Sequence, residues 1–348
     1  MSKLPMFPAS ITGSLPKPAW LAEPEKLWAA WHHSGAELEA AQRDAALVWL
    51  KLQEDAGLDI VTDGEQFRVH FVHGFLEHID GVDWSKKTKM GIRNNRYVAE
   101  VPTVTSALSR RRPVHADGAR FMRANTTRKL KFTLPGPMTI CDTVADGHYG
   151  KRADMAMAFA QLLNAEAREL EALGVDIIQF DEPAFNVFTG EVGDWGITAL
   201  EQAIEGLTCE TAVHICYGYG IEANLKWKET LGSEWRQYQE IFPALNRSNI
   251  GQISLEAAGS RVPLSLIRLL ADKQILIGVI NVATNAIETP EAVAATLTEA
   301  LKHADAERLQ ACTNCGLAPL PRAVAEAKLS ALGEGARLMR GQGDRNNV

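Results

Sequence analysis

Two phrases of this chain are near-copies of each other: EDAGLDIV, residues 54–61, and EALGVDII, residues 171–178. Each closes a helical pattern, turns at a glycine (Gly57, Gly174) and enters a short apolar run ending in acids, DIVTDGE at 59–65 and DIIQFDEP at 176–183. Ahead of the first, Leu38, Ala41, Ala45, Val48 and Leu52 recur with a helical period. Ahead of the second, Met155, Phe159, Leu162, Leu163, Leu170 and Leu173 line one helical face. Helix, glycine stop and buried strand in that order is the joint that a parallel sheet with crossover helices requires.

The same alternation extends along the chain. Further strands are expected at Ser10–Ser14, Leu130–Gly136, Thr211–Gly218, Ile250–Ala257, Ile275–Ala283 and Leu309–Gly316, with helices such as Pro290–His303 and Pro321–Arg340 between or after them. With the two opening joints this makes eight strands, and eight βα units predict a (β/α)8 TIM barrel of the α/β class. The expected organisation is a single domain over residues 1–348. An insertion at about 81–114, after the second βα unit, has alternating β-rich runs and basic clusters and reads as a β-hairpin over the barrel mouth. A doubly wound sheet has the same alternation, so closure does not follow from the pattern alone.

Composition narrows the function. Of 348 residues, 46% are hydrophobic and 23% charged, with a net charge of -7, so no basic block is present to neutralise phosphates and a nucleic-acid role is not expected. The start, MSKLPMFPAS, lacks the basic and apolar regions of a signal peptide, and the run Ile275–Ala283 is broken by Gly278 and Asn281, too short to span a bilayer. No membrane association and a cytoplasmic location are expected. Five cysteines in a chain this long are not a disulfide framework; they point to free thiols, a metal or a nucleophile.

In such barrels chemistry sits where strands end. The polar residues at these ends are Gly13–Ser14, Glu65, Asp181, His214 with Cys216, Glu256, and Cys315. His214 and Cys216 are two apart on a strand, so both face one way. Together with Glu256 and Cys315 they form a His/Cys/Cys set with an exchangeable carboxylate, which suits zinc (Zn2+) in a catalytic site with room for a substrate. Taken singly, a His-x-Cys is commonly packing, and Cys312-x-x-Cys315 also fits a redox pair. The redox reading wants a helix N-terminus rather than a strand end, and Cys312 is expected to face away.

The chain also resembles the catalytic C-terminal barrel of cobalamin-independent methionine synthases, in their compact single-barrel branch. The phrases that carry the resemblance are Thr12-Gly13-Ser14-Leu15-Pro16, Asp63-Gly64-Glu65, Leu134-Pro135-Gly136-Pro137, Phe180-Asp181-Glu182-Pro183, His214-Ile215-Cys216-Tyr217 and Asn314-Cys315-Gly316-Leu317, in the family's order. The resemblance implies zinc on His214, Cys216, Glu256 and Cys315. It implies homocysteine held by Thr12, Gly13 and Ser14, with Glu65 and Asp181 taking its ammonium group. It further implies methyl transfer to the thiol to give methionine, with a methyltetrahydrofolate as donor, Arg96 as a donor contact, and a helper protein in some compact relatives.

On the donor side the chain departs from the pattern. The acid that the long enzymes carry at the end of the seventh strand is replaced by Asn281-Val282-Ala283. The pterin-stacking aromatic is missing near Asp142–Thr143, and an acid is missing near Asn186 and Val187. The group that protonates a leaving nitrogen is therefore unassigned; His148, in a loop, is the one candidate. Two alternatives follow: a zinc-dependent thiol alkyltransferase using an S-methyl compound or a methylcorrinoid, or a non-catalytic zinc and homocysteine binder.

Overall fold

The computed structural model describes residues 4–343. Its strands are β1 (Ile60–Val61), β2 (Ile79–Ile92), β3 (Tyr97–Arg110), β4 (Lys129–Pro135), β5 (Ala145–Asp146), β6 (Ile177–Asp181), β7 (Glu210–His214), β8 (Gln252–Glu256), β9 (Gln274–Ile280) and β10 (Leu309–Thr313). Seven of them form one parallel sheet in the order β1-β4-β6-β7-β8-β9-β10. Its central strands are buried along their whole length, as expected where helices cover the outer face and side chains fill the inner one.

The eighth expected strand survives only as a bridge, but it joins the two edges. Ser10 N–H donates to the Ala311 carbonyl at 3.0 Å, and Ala311 N–H donates to Pro8 at 2.9 Å. On the other side the Ala9 carbonyl accepts from Asp59 and Ile60 at 3.0 and 3.2 Å. The segment thus lies between β10 and β1 and turns the sheet into a TIM-like barrel. Ile60, Ile177, Ala212, Leu276 and Cys312, from five different strands, meet in an apolar cluster separate from the main core. Contact among strands from both halves of the sheet places that cluster inside the ring. Cys312 is accordingly a barrel-filling residue.

Between β1 and the helix Ala116–Asn125, β2 and β3 pair antiparallel, and β3 also pairs with β5. This long hairpin is pinned at its base by Glu166, from the helix Arg152–Ala172. The Glu166 carboxylate accepts from Val114 N at 2.9 Å and His115 N at 2.7 Å and binds Arg110. Its tip is pinned by Asp142, which accepts from Arg93 N at 3.1 Å and pairs with the Arg93 guanidinium. No helix among the described residues is long and apolar enough to cross a membrane.

Candidate metal and thiol site

A cavity opens at the C-terminal ends of the barrel strands. Thr12, Ser14, Glu65, Asp181, His214, Cys216 and Cys315 all line it, so residues expected from five strands converge on one space. The ligand atoms of His214, Cys216 and Cys315 lie within 4.8 Å of one another, all three residues being buried. His214 is the last residue of β7, and each cysteine sits two residues past a strand end, where the chain is free to turn its sulfur inward.

The histidine is prepared as a ligand. Its Nδ1 lies 3.0 Å from Ser254 Oγ, whose proton is directed to the Ile215 carbonyl at 3.2 Å. That leaves Ser254 accepting from Nδ1–H, which fixes the tautomer with a lone pair on Nε2. Nε2 is buried and has no protein partner. A buried nitrogen without a partner is costly unless something else binds it. The Cys216 and Cys315 sulfurs are 3.4 Å apart and share a hydrogen bond. That bond holds the Cys216 thiol well below its usual range and pushes the Cys315 thiol well above it. Two sulfurs and an imidazole nitrogen at this spacing are a donor set that fits zinc.

Glu256 ends β8 beside this trio but outside it. Its Oε1 is 3.0 Å from Lys228 Nζ, and its Oε2 accepts from Tyr217 N at 3.0 Å. Burial raises the Glu256 carboxyl, and Lys228 opposes that rise.

The acids flank the trio. Asp181 ends β6 opposite His214 in the ladder and accepts from Gln179 Nε2 at 2.8 Å. Burial, reinforced by Glu65, pushes its pKa up to about 7 against the pull of His214. Glu65 adopts φ +59°, a left-handed conformation that strains a residue with a side chain. Asp63 accepts from Glu65 N at 3.0 Å and from Arg68 at 2.8 Å, and Thr133 Oγ1 donates to Glu65 Oε1 at 3.2 Å. The strained turn therefore delivers a carboxylate into the cavity. Burial raises the Glu65 carboxyl, and Arg68 opposes this.

Gly13 is required by space: a Cβ there would meet Thr133 Cγ2 at 2.7 Å. Thr12 Oγ1 donates to the Thr313 carbonyl at 3.0 Å, and Ser14 Oγ lies 3.4 Å from Tyr219 OH. Glu182, the neighbour of Asp181, turns away and accepts from Met138 N, Thr139 N and Thr139 Oγ1 at 2.9, 2.8 and 2.7 Å, capping a helix start.

Arg96 also lines the cavity. Its guanidinium lies 3.1 Å from the Trp227 ring centroid, and its Nη1 is 3.5 Å from Asn224 Oδ1. Its Nε and Nη2 are buried with no protein partner. Burial, with Arg93 nearby, lowers its pKa to about 9. His148 is exposed on a turn against Tyr149 and does not line the cavity.

Several lining residues escaped the sequence reading. Tyr219 reaches Ser14, and Arg93 spans to Asp142. Trp28 stacks on His70 with ring centroids 4.4 Å apart. His70 lies five residues after Glu65, and that proximity was the only available signal. Asp142, where the sequence lacks the pterin-stacking aromatic, holds the hairpin tip, and Asn186 donates to the Cys216 carbonyl at 3.3 Å.

A family described as the catalytic domain of cobalamin-independent synthases matches residues 7–337. A methionine synthase from Sulfurisphaera tokodaii is 32% identical over 342 residues, covering 98% of this chain and 94% of the relative. One from Saccharolobus solfataricus is 31% identical, covering 98% and 97%. A solved B12-independent methionine synthase from Shewanella sp. W3-18-1, in complex with selenomethionine, is 56% identical with a TM-score of 0.96, covering 98% and 99%.

Proposed function

We infer the reaction from the family: the chain belongs to the cobalamin-independent methionine synthases and is an enzyme of methyl transfer to homocysteine. We propose that it does so as one catalytic barrel, with zinc held by His214, Cys216 and Cys315 and with Glu256 as the exchangeable fourth ligand. The observation that carries this reading is His214 Nε2, buried and unpartnered beside two cysteine sulfurs. Bound zinc favours a thiolate over a thiol and so supplies a nucleophile at neutral pH.

The chain's own residues then do the positioning. The Thr12–Ser14 backbone and the Ser14 hydroxyl hold the amino acid, and Glu65 and Asp181 receive its ammonium group, which adds positive charge beside two buried carboxyls. Selenomethionine in the Shewanella relative supports an amino-acid site of this kind. Holding sulfur, methyl carbon and leaving atom in line supplies much of the acceleration. The sulfur–carbon bond forms as the bond from carbon to the donor breaks, and the electron pair leaves with the donor.

For the donor we propose a methyltetrahydrofolate, with Arg96 meeting its anionic part. A second reading is favoured by the end of β9. There the Asn281 side chain accepts from Ala283 N at 2.9 Å, Val282 is buried, and the acid in contact, Glu288, accepts from Asn281 N at 2.9 Å and is committed to Lys328 rather than to a leaving nitrogen. A donor whose leaving group needs no proton, an S-methyl compound or a methylcorrinoid, meets that condition. Five free cysteines suit the reducing cytoplasm in which we place the enzyme.

Zinc-loaded protein incubated with homocysteine and each donor tests this. Methionine from methyltetrahydrofolate, alone or with a helper protein, supports the first reading, and product only from the other donors supports the second. Methionine from none of them overturns the proposed function.

A further inference from the structure

Among the described residues the Asp181 carboxylate receives a single hydrogen bond, from Gln179 Nε2 at 2.8 Å. Ile177, Gln179 and Asp181 alternate along β6, so all three point into the barrel. Gln179 is fully buried and stands one level below the cavity, beside Thr133 of β4 and Ala212 of β7. The second hydrogen of the same Nε2 goes to the Thr12 carbonyl at 2.9 Å. Two acceptors at one nitrogen fix which way the amide faces, because its oxygen turned to the same place would meet a carbonyl and a carboxylate. In this orientation Gln179 Oε1 is buried with no protein partner, an arrangement that costs stability.

The neighbouring groups do not depend on this amide in the same way. Thr12 is also tied to β10, its N–H to Thr313 Oγ1 and its hydroxyl to the Thr313 carbonyl, each at 3.0 Å. Glu65 has Thr133 Oγ1 at 3.2 Å and an Arg68 nitrogen at 3.8 Å. For the Asp181 carboxylate, Gln179 is the one hydrogen-bond tether. We propose that Gln179 is a positioning residue for homocysteine, which ties Asp181 to the Thr12 carbonyl and so aims that carboxylate at the substrate's ammonium group. This rests on the reading above, in which Asp181 receives that group. A carboxylate already held in place loses less freedom when the ligand arrives, and that saving appears as affinity. The tether therefore acts on recognition of the amino group, and not on the thiol or on the metal.

Gln179→Met keeps the length of the side chain and removes both hydrogen bonds. Calorimetry on zinc-loaded protein compares homocysteine with mercaptobutanoate, the same thiol acid without its amino group. The variant should bind homocysteine about tenfold more weakly, the worth of one hydrogen bond to a charged group, and mercaptobutanoate within about twofold of the parent. Zinc per chain should not change. Unchanged homocysteine affinity would overturn the proposal. So would an equal loss of both ligands, which would mean that the amide supports the barrel as a whole. If Gln179→Met does not fold, Gln179→Asn, whose amide is drawn back by one carbon, decides on the same two ligands. A parent protein that binds both ligands equally well would bring down the ammonium reading of Asp181 and this proposal with it. A parent that prefers homocysteine, with a variant that keeps the preference in full, overturns only the proposal.

Discussion

Ser254 Oγ sits 3.0 Å from His214 Nδ1, so a strand residue of β8 decides which imidazole nitrogen of β7 faces the cavity. Ser254→Ala removes that constraint and also strips the Ile215 amide of its acceptor. The variant should fold, as judged by circular dichroism, and should bind zinc about tenfold more weakly. Unchanged zinc affinity would mean that packing alone orients the ring.

Cys216→Ser and Cys315→Ser should each lose zinc and methionine formation together, measured as metal per chain and as product. Cys312→Ala is the contrast. Its sulfur faces the barrel interior, with Ser10 Oγ 3.8 Å away, so zinc should be retained while stability falls by about 1 kcal/mol in urea unfolding.

Glu65→Gln and Asp181→Asn should keep zinc and raise the homocysteine KM. Loss of a hydrogen bond to a charged group is worth about 1.5–3 kcal/mol, or roughly 10- to 150-fold. Zinc content measured alongside separates this effect from damage to the metal site.

Arg96→Leu should leave homocysteine affinity unchanged by calorimetry and raise the KM of an anionic donor by about tenfold. If the donor's KM is unaffected, Arg96 is a packing partner of Trp227 and no more.

Glu166→Ala should lower stability by about 3 kcal/mol or more. It leaves the Val114 and His115 amides without their acceptor under the hairpin and Arg110 with the half-exposed Glu169 alone. The Tm should fall while zinc content stays constant.

The repeating joint at Gly57 and Gly174 made the barrel legible, because the glycine stop and buried run are local features. Strand lengths were not legible. The run at 59–65 yields only Ile60–Val61 as strand, because the Gln53 side chain, from the preceding helix, occupies both the Thr62 amide and its carbonyl at 2.9 Å each. Thr12 N likewise turns to Thr313 Oγ1 at 3.0 Å rather than to a ladder carbonyl. Side chains arriving from elsewhere replaced the ladder, and no local pattern announces that.

The site followed the same division. His214, Cys216 and Cys315 were legible because soft donors at strand ends are uncommon and few structural needs explain them together. The Lys228 partner of Glu256 was not, since it lies 28 residues earlier on a helix whose charges look solvated. Arg93 and Asp142, 49 residues apart, were equally silent, and their ion pair gives the acid that stands in place of the missing stacking ring a role at the hairpin tip.

X-ray absorption at the zinc edge, with and without homocysteine, tests the central claim most directly. The account predicts bound zinc with the sulfurs of Cys216 and Cys315 and a nitrogen of His214, and an additional sulfur when homocysteine is added. A sulfur count that does not change with homocysteine, or full methionine formation by metal-free protein, would contradict it.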